Sequence, residues 1–272
     1  MHTPKYVLGH SSSEQDRLRR QAKMLRPITQ RLLAQAGLNR GMEVLDVGCG
    51  PGDVTMLAAE MVGSGGRVVG IDRNPDVIAS ARRRAARRGV DNVLFVHCDL
   101  ESIDHGGRFD AALCRYVLIH QSDPTAFLTA LRRPVRRGGI LAVHEMDTTR
   151  GLRCSPQAPF LGKIDTLLQA AIGLQADSAP DAGGRLVELF AGAGLPVPHM
   201  FAEIIVEGGQ GGSILEWVAD LFTQAMPHLV TAGVIAEGEI ELGTLLERLR
   251  LETTARSCQI ESIPQVCAWT RV

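Results

Sequence analysis

The run Asp46-Val-Gly48-Cys-Gly50-Pro-Gly52, with Asp72 following 20 residues after its last glycine, carries the most chemistry in this chain. Glycines at alternate positions let the backbone approach a ligand closely, and a helix opening behind them offers unpaired N–H groups. Asp72 ends the next apolar run, where a carboxylate can accept from both hydroxyls of a ribose. The nicotinamide fingerprint G-x-G-x-x-G needs a third glycine at position 53, or at 55 if started from Gly50, but these are Asp53 and Thr55. A carboxylate at Asp46 would also repel a pyrophosphate. It suits a ligand with an ammonium group.

Two other groups invite a chemical reading. His120-Gln121 follows the fourth apolar run, and an imidazole there can take a proton from a phenol, amine or enol; the plainer alternative is a histidine that fixes its own loop. His144-Glu145-Met-Asp147 ends the fifth run, with Glu145 a candidate acid/base or amine-binding group. A metal site there is opposed by strand geometry, since neighbouring residues point to opposite faces. No metal is expected. The arginine runs 82–84 with 87–88, and 132–133 with 136–137, read as solvated faces rather than a nucleic-acid surface.

These residues need a frame of alternating strands and helices. Apolar runs at 43–47, 67–72, 93–99, 109–118 and 139–146 predict five strands. Helical spacing at 54–62, 75–89 and 124–133 supplies the crossovers, which implies a parallel sheet covered on both faces. The first 40 residues predict two helices, the second opened by Pro27. Beyond Arg150, helices are expected at 159–176, 183–193, 214–226 and 231–252, with strands at 197–207 and 263–271.

Composition bounds the function. The 272 residues are 45% hydrophobic, and 29 basic side chains against 30 acidic give a net charge of −1, so no general attraction to nucleic acid or anionic lipid follows. No apolar run reaches the roughly 20 residues of a membrane span, and no secretory signal is legible at the start. The six cysteines are scattered without C-x-x-C spacing, which fits reduced thiols and a cytoplasmic location. Only Lys5, Lys23 and Lys163 are lysines among the 29 basic residues. With abundant Ala and Gly, this points to GC-rich codons of the bacterial, actinobacterial kind.

With these motifs in order, the chain resembles the class I S-adenosylmethionine-dependent methyltransferases of small-molecule type, similar to the ubiquinone/menaquinone enzymes. VLDVGCGPGD looks like their first motif, GIDRNPDVIASARRRA their second, HCDLES the acidic loop after the third strand, and FDAALCRYVLIHQSDP the fourth strand and its loop. The resemblance implies a Rossmann-like, doubly wound seven-stranded α/β sheet of order 3-2-1-4-5-7-6 with the last strand antiparallel. It implies a helical lid at 1–40, a cofactor-binding core at 41–150 and a remainder at 151–272 whose insertions 151–195 and 213–255 cap the substrate.

For the cofactor, S-adenosyl-L-methionine with S-adenosyl-L-homocysteine as product, the resemblance implies Gly48 and Gly50 beneath the methionine portion and Asp46 near its ammonium group. It puts Asp72 on the ribose, Arg73 beside the adenine, Asp99 and Leu100 on the adenine amine and ring, and Arg115 near the methionine amine. Gln21 and Tyr6, with His10 and Arg17, lie on the lid. His120, Glu145 and Tyr6 are the candidate catalytic residues. The expected reaction is methylation of a small, largely apolar acceptor of natural-product type, with no nucleic-acid or membrane partner and a homodimer as a compatible assembly. The competing readings are an RNA or protein methyltransferase and a non-catalytic cofactor-binding protein.

Overall fold

A computed structural model describes residues 12–103, 106–174, 178–209 and 212–272, with side chains of the first helix from residue 20 onward. The chain runs α1 (Ser12–Ala36), β1 (Glu43–Val47), α2 (Asp53–Val62), β2 (Arg67–Asp72), α3 (Pro75–Arg88), β3 (Val93–His97), β4 (Phe109–Arg115), α4 (Pro124–Arg132) and β5 (Val135–Met146). It continues through β6 (Arg153–Ser155), α5 (Pro159–Gly173), α6 (Leu186–Gly192), β7 (His199–Glu203), β8 (Val206–Gly208), α7 (Ser213–Thr231), α8 (Leu245–Ala255), β9 (Gln259–Glu261) and β10 (Gln265–Arg271).

Seven strands form one sheet in the order β3-β2-β1-β4-β5-β10-β7. Counting only the strands of that sheet, this is the 3-2-1-4-5-7-6 order, and β10 runs antiparallel to both neighbours. The strand order reverses between β1 and β4, so the loops after their carboxyl ends diverge and leave a crevice. A second sheet, β6-β9-β8, was not anticipated. Its strands have three residues each, too short to show a period in sequence, and the run 197–207 is divided between the two sheets as β7 and β8.

The central strands of the sheet are buried on both faces, as their near-continuous apolar runs require. On one face Leu25, Ile28, Leu32 and Leu33 of α1 pack with α2 on Val44, Val68, Ala111 and Ile140. On the other, Leu128, Leu131, Leu189 and Phe190 of α4 and α6 cover Leu45, Ile71, Ala112 and Leu141. The α1 stripe explains why Pro27 does not split the segment into two helices: one unbroken apolar face is buried on both sides of it, outweighing the lost backbone hydrogen bond. The stretch 231–252 also differs from expectation. Helix α7 continues to Thr231 despite Pro227, and α8 begins only at Leu245 after the turns around Gly233 and Gly238.

A third apolar cluster joins α5, α7 and α8 through Leu161, Ile164, Leu215, Phe222 and Leu249. Carboxylates hold its helix starts. Glu207 accepts from the amides of Ser213 and Ile214 at 3.0 and 2.9 Å, and Glu252 of α8 accepts from Phe160 and Leu161 at the start of α5. Arg20 of α1 makes a two-pronged pair with Asp220 of α7, at 2.8 and 2.7 Å, which ties the first helix to this cluster. The α3 arginines are largely used internally: Arg82 donates to the Phe95 carbonyl, Arg84 pairs with Asp53 at 2.6 Å and Arg88 faces Glu60.

Candidate active site

The glycine turn leaves β1 with Gly48, Gly50 and Gly52 all at positive φ, between 54° and 86°. A side chain at Gly48 would collide with Val117, its Cβ meeting Cγ2 at 2.6 Å, whereas a Cβ at Gly50 would meet nothing within 4 Å. The space above Gly50 is therefore open cavity. Gly52 opens α2 without any side-chain cap, leaving the helix start free toward that space.

Asp72 closes the turn from β2. Its Oδ2 accepts from the Gly50 amide at 3.0 Å and its Oδ1 from the Asn74 amide at 2.9 Å. Each oxygen keeps capacity for a further donor. Next door, Asp46 is buried under the turn, accepts from the Thr55 hydroxyl at 2.6 Å, and is pushed up to about 7 by burial, against the pull of Thr55 and Arg115.

Arg115 ends β4 beside Asp46. Burial lowers its pKa, opposed by Asp53 and Asp46, and Nη1 donates to the Thr29 hydroxyl at 3.2 Å. The Thr29 hydroxyl donates in turn to the Leu25 carbonyl and lies 3.0 Å from His144 Nδ1. That arrangement makes Nδ1 the protonated nitrogen of a neutral ring. Burial and the Arg115 charge agree, bringing His144 down to about 3.

Glu145, the next residue of β5, turns to the opposite side. Its Oε1 accepts from the amides of Val117 and Leu118 at 2.8 and 2.7 Å, and it has no exposure to the cavity. Burial raises it to about 8 despite those amides. The carboxyl expected as an acid/base or amine-binding group sits beneath the loop after β4, where Oε1 anchors the turn Leu118–His120 and Oε2 is buried without a hydrogen bond among the described residues. Tyr116, at positive φ of 58°, begins that loop, and its hydroxyl bonds to Gln265 of β10. Non-glycine residues at positive φ concentrate where function requires strain.

One cavity of about 790 Å³ runs from the glycine turn to the α5–α7 cluster. Its wall brings together Gln21, Asp46, Gly48, Gly50, Asp72, Arg73, Leu100, Arg115 and His120 from the sequence expectations. Asp99 is not in the wall; its Oδ1 pairs with Arg73 Nε at 2.6 Å at the rim, because the loop after β3 turns the carboxylate toward the guanidinium. Tyr6, like His10, lies outside the described residues, as does the side chain of Arg17. Sequence reasoning missed Asn74, Tyr116, Asp165 and Gln169, which also line the cavity. Asn74-Pro75 was readable as a helix cap, and Asp165 and Gln169 are one turn apart on α5, but nothing in the sequence says which face of α5 is inward. Among the described residues, no three His, Cys, Asp or Glu side chains are grouped to hold a metal, and no helix is long and apolar enough to cross a membrane.

Residues 38–170 match the family model described as a methyltransferase domain. Aklanonic acid methyltransferase DauC of Streptomyces sp. (strain C5) is 36% identical over 137 residues, covering 50% of this chain and 61% of that protein. Ubiquinone/menaquinone biosynthesis C-methyltransferase UbiE of Cellvibrio japonicus is 30% identical over 141 residues, covering 48% of this chain and 57% of that protein. The chain thus spans less than two thirds of the length of these relatives. Among solved structures, a putative methyltransferase from Bacillus halodurans superposes with a TM-score of 0.57 at 18% identity, over 89% of this chain and 97% of that one, which establishes the fold.

Proposed function

Starting from a chain whose core is a class I, S-adenosylmethionine-dependent methyltransferase domain, we propose that it methylates a small, largely apolar organic acceptor of the natural-product kind. The observation that carries this reading is the continuity of one cavity from Gly50 and Asp72 to Leu168, Ile172, Trp217 and Leu221. A polymer acceptor needs an open groove, whereas the far end of this cavity is walled by apolar side chains of α5 and α7. The relative named for aklanonic acid methylation is in keeping with such an acceptor.

The donor half fits S-adenosylmethionine on its own chemistry. Asp46 and Arg115, opposite charges side by side in the wall, suit the ammonium and carboxylate of an amino acid. Asp72, held by two amides, suits vicinal hydroxyls, and the open space at Gly50 leaves room for the chain between them. When bound, the sulfonium supplies an electrophilic methyl group, so the protein's tasks are in-line positioning and exclusion of water. His120, in the wall beyond Tyr116, takes the proton from an oxygen or nitrogen acceptor. Glu145 holds the loop that carries it. The helical lid and the caps 151–195 and 213–255 complete the enclosure in this reading.

Calorimetric titration with S-adenosylmethionine and S-adenosylhomocysteine tests the donor site, and phenols, indoles and polyketide-type ketones added to the saturated protein test the acceptor half. Micromolar cofactor binding followed by turnover of one class supports the proposal. A folded protein that binds neither cofactor form refutes it, and cofactor binding with no turnover on any acceptor favours a non-catalytic binder.

A further inference from the structure

The acceptor half of the cavity is walled mainly by apolar side chains of α5 and α7, among them Leu168, Ile172, Trp217 and Leu221. Asp165 stands in this wall. Its Oδ1 accepts a single long hydrogen bond, from the Leu152 amide at 3.3 Å, and its Oδ2 lies against Gly151, where a Cβ would meet it at 2.8 Å. A side chain at Gly151 would press on that oxygen, so the glycine leaves it uncovered.

No ion pair engages Asp165 among the described residues. The arginines of the cavity wall, Arg73 and Arg115, belong to the donor half, where they face Asp99 and Asp46. His228, the basic side chain of the acceptor half, has an interaction of its own. Gln169 follows one turn along α5 and lies beside the Asp165 carboxyl. Its amide nitrogen is buried yet makes no hydrogen bond of acceptable geometry among the described residues. A half-buried carboxylate in an apolar wall, touched only by neutral donors, is costly without a charged partner. A ligand that supplies that partner removes the cost.

We propose that Asp165, supported by Gln169, is the specificity determinant of the acceptor half and selects an apolar ring compound bearing a protonated amine over the same ring bearing a carboxylate. The inference rests on the methyltransferase reading for the identity of the cavity, but its chemistry comes from the cap alone. An amine donates to Oδ2 and gains the charge interaction in low-dielectric surroundings. An acid at the same place meets like charge, with no lysine or arginine of the described residues in the acceptor half to offset it.

The test uses three indoles of similar shape, tryptamine, 3-ethylindole and indole-3-acetate, titrated calorimetrically into the protein saturated with S-adenosylhomocysteine. The native protein is expected to bind tryptamine about tenfold or more tightly than indole-3-acetate, with 3-ethylindole between. In Asp165→Asn the ratio is expected to collapse to within about threefold while affinity for S-adenosylhomocysteine is unchanged, which reports an intact fold. The proposal is overturned if indole-3-acetate binds the native protein as well as tryptamine does, or if none of the three binds. It is equally overturned if the tryptamine preference survives in Asp165→Asn. Should the native protein not bind S-adenosylhomocysteine at all, the methyltransferase reading is what fails, and the order among the three indoles, measured without it, still decides the role of Asp165.

Discussion

The Asp72 carboxylate accepts a hydrogen bond from the backbone amide of Gly50 at 3.0 Å, so the residue proposed to hold the ribose also fixes the glycine turn. Asp72→Ala is expected to weaken S-adenosylmethionine by roughly 1–3 kcal/mol through lost charged hydrogen bonds. It should also lower the unfolding midpoint, since two amides lose their acceptor. Calorimetry and thermal denaturation measure the two effects separately, and unchanged cofactor affinity would sink the ribose assignment.

The two inner glycines of the turn should fail in different ways. At Gly50 an added side chain enters open cavity, so Gly50→Val is expected to abolish cofactor binding, with roughly 1–2 kcal/mol of stability lost to the left-handed backbone. At Gly48 the Cβ strikes Val117, so Gly48→Ala should displace the loop leading to His120 and cost more stability than the Gly50 change. A Gly48→Ala protein as stable as the native one contradicts that contact.

Glu145 makes a prediction about pH. Its folded-state value of about 8 lies above the ordinary 4.5, so the stability it contributes is fully present below pH 4.5 and is lost as pH rises through 8. Asp46 acts in the same direction between 3.8 and about 7. Glu145→Gln keeps an acceptor for the Val117 and Leu118 amides but cannot ionise. Compared by urea denaturation, the variant should gain on the native protein from pH 5 to pH 9, and its turnover should stay within a few fold. Loss of all turnover, with the loop intact, would return Glu145 to the chemistry.

His120→Ala should separate binding from reaction. For an oxygen or nitrogen acceptor, turnover is expected to fall by about 10²–10⁴ while affinity for S-adenosylhomocysteine stays nearly unchanged. Full activity in steady-state assays removes His120 as the proton acceptor.

The proposed donor site could be read from the sequence because its parts are local. Asp46, Gly48 and Gly50 lie within five residues, and Asp72 is placed by the next parallel strand, whose register puts Asp46 opposite Gly70. What sequence could not supply was side-chain direction at the end of β5. Alternation says that His144 and Glu145 point to opposite faces, but not that α1 covers one and the loop after β4 the other. The carboxyl in the crevice by motif position is thus the one beneath the loop by packing. Tyr116 was equally unreadable, since the partner of its hydroxyl, Gln265, is 149 residues away. The small sheet and the inward face of α5 depend on the same kind of long-range pairing.

β10 sits between β5 and β7, although it follows both in the chain. Until it pairs, β5 and β7 each present an open edge, and open edges are the places where partly made chains recruit one another. Tyr116 also lacks Gln265 until then. The glycine turn and Asp72 therefore leave the ribosome long before the sheet is completed beyond β5. That completion spans long sequence separations, which slow folding. The chain's yield in a cell should depend on how well the interval before β10 pairs is chaperoned, rather than on the strength of the cofactor site.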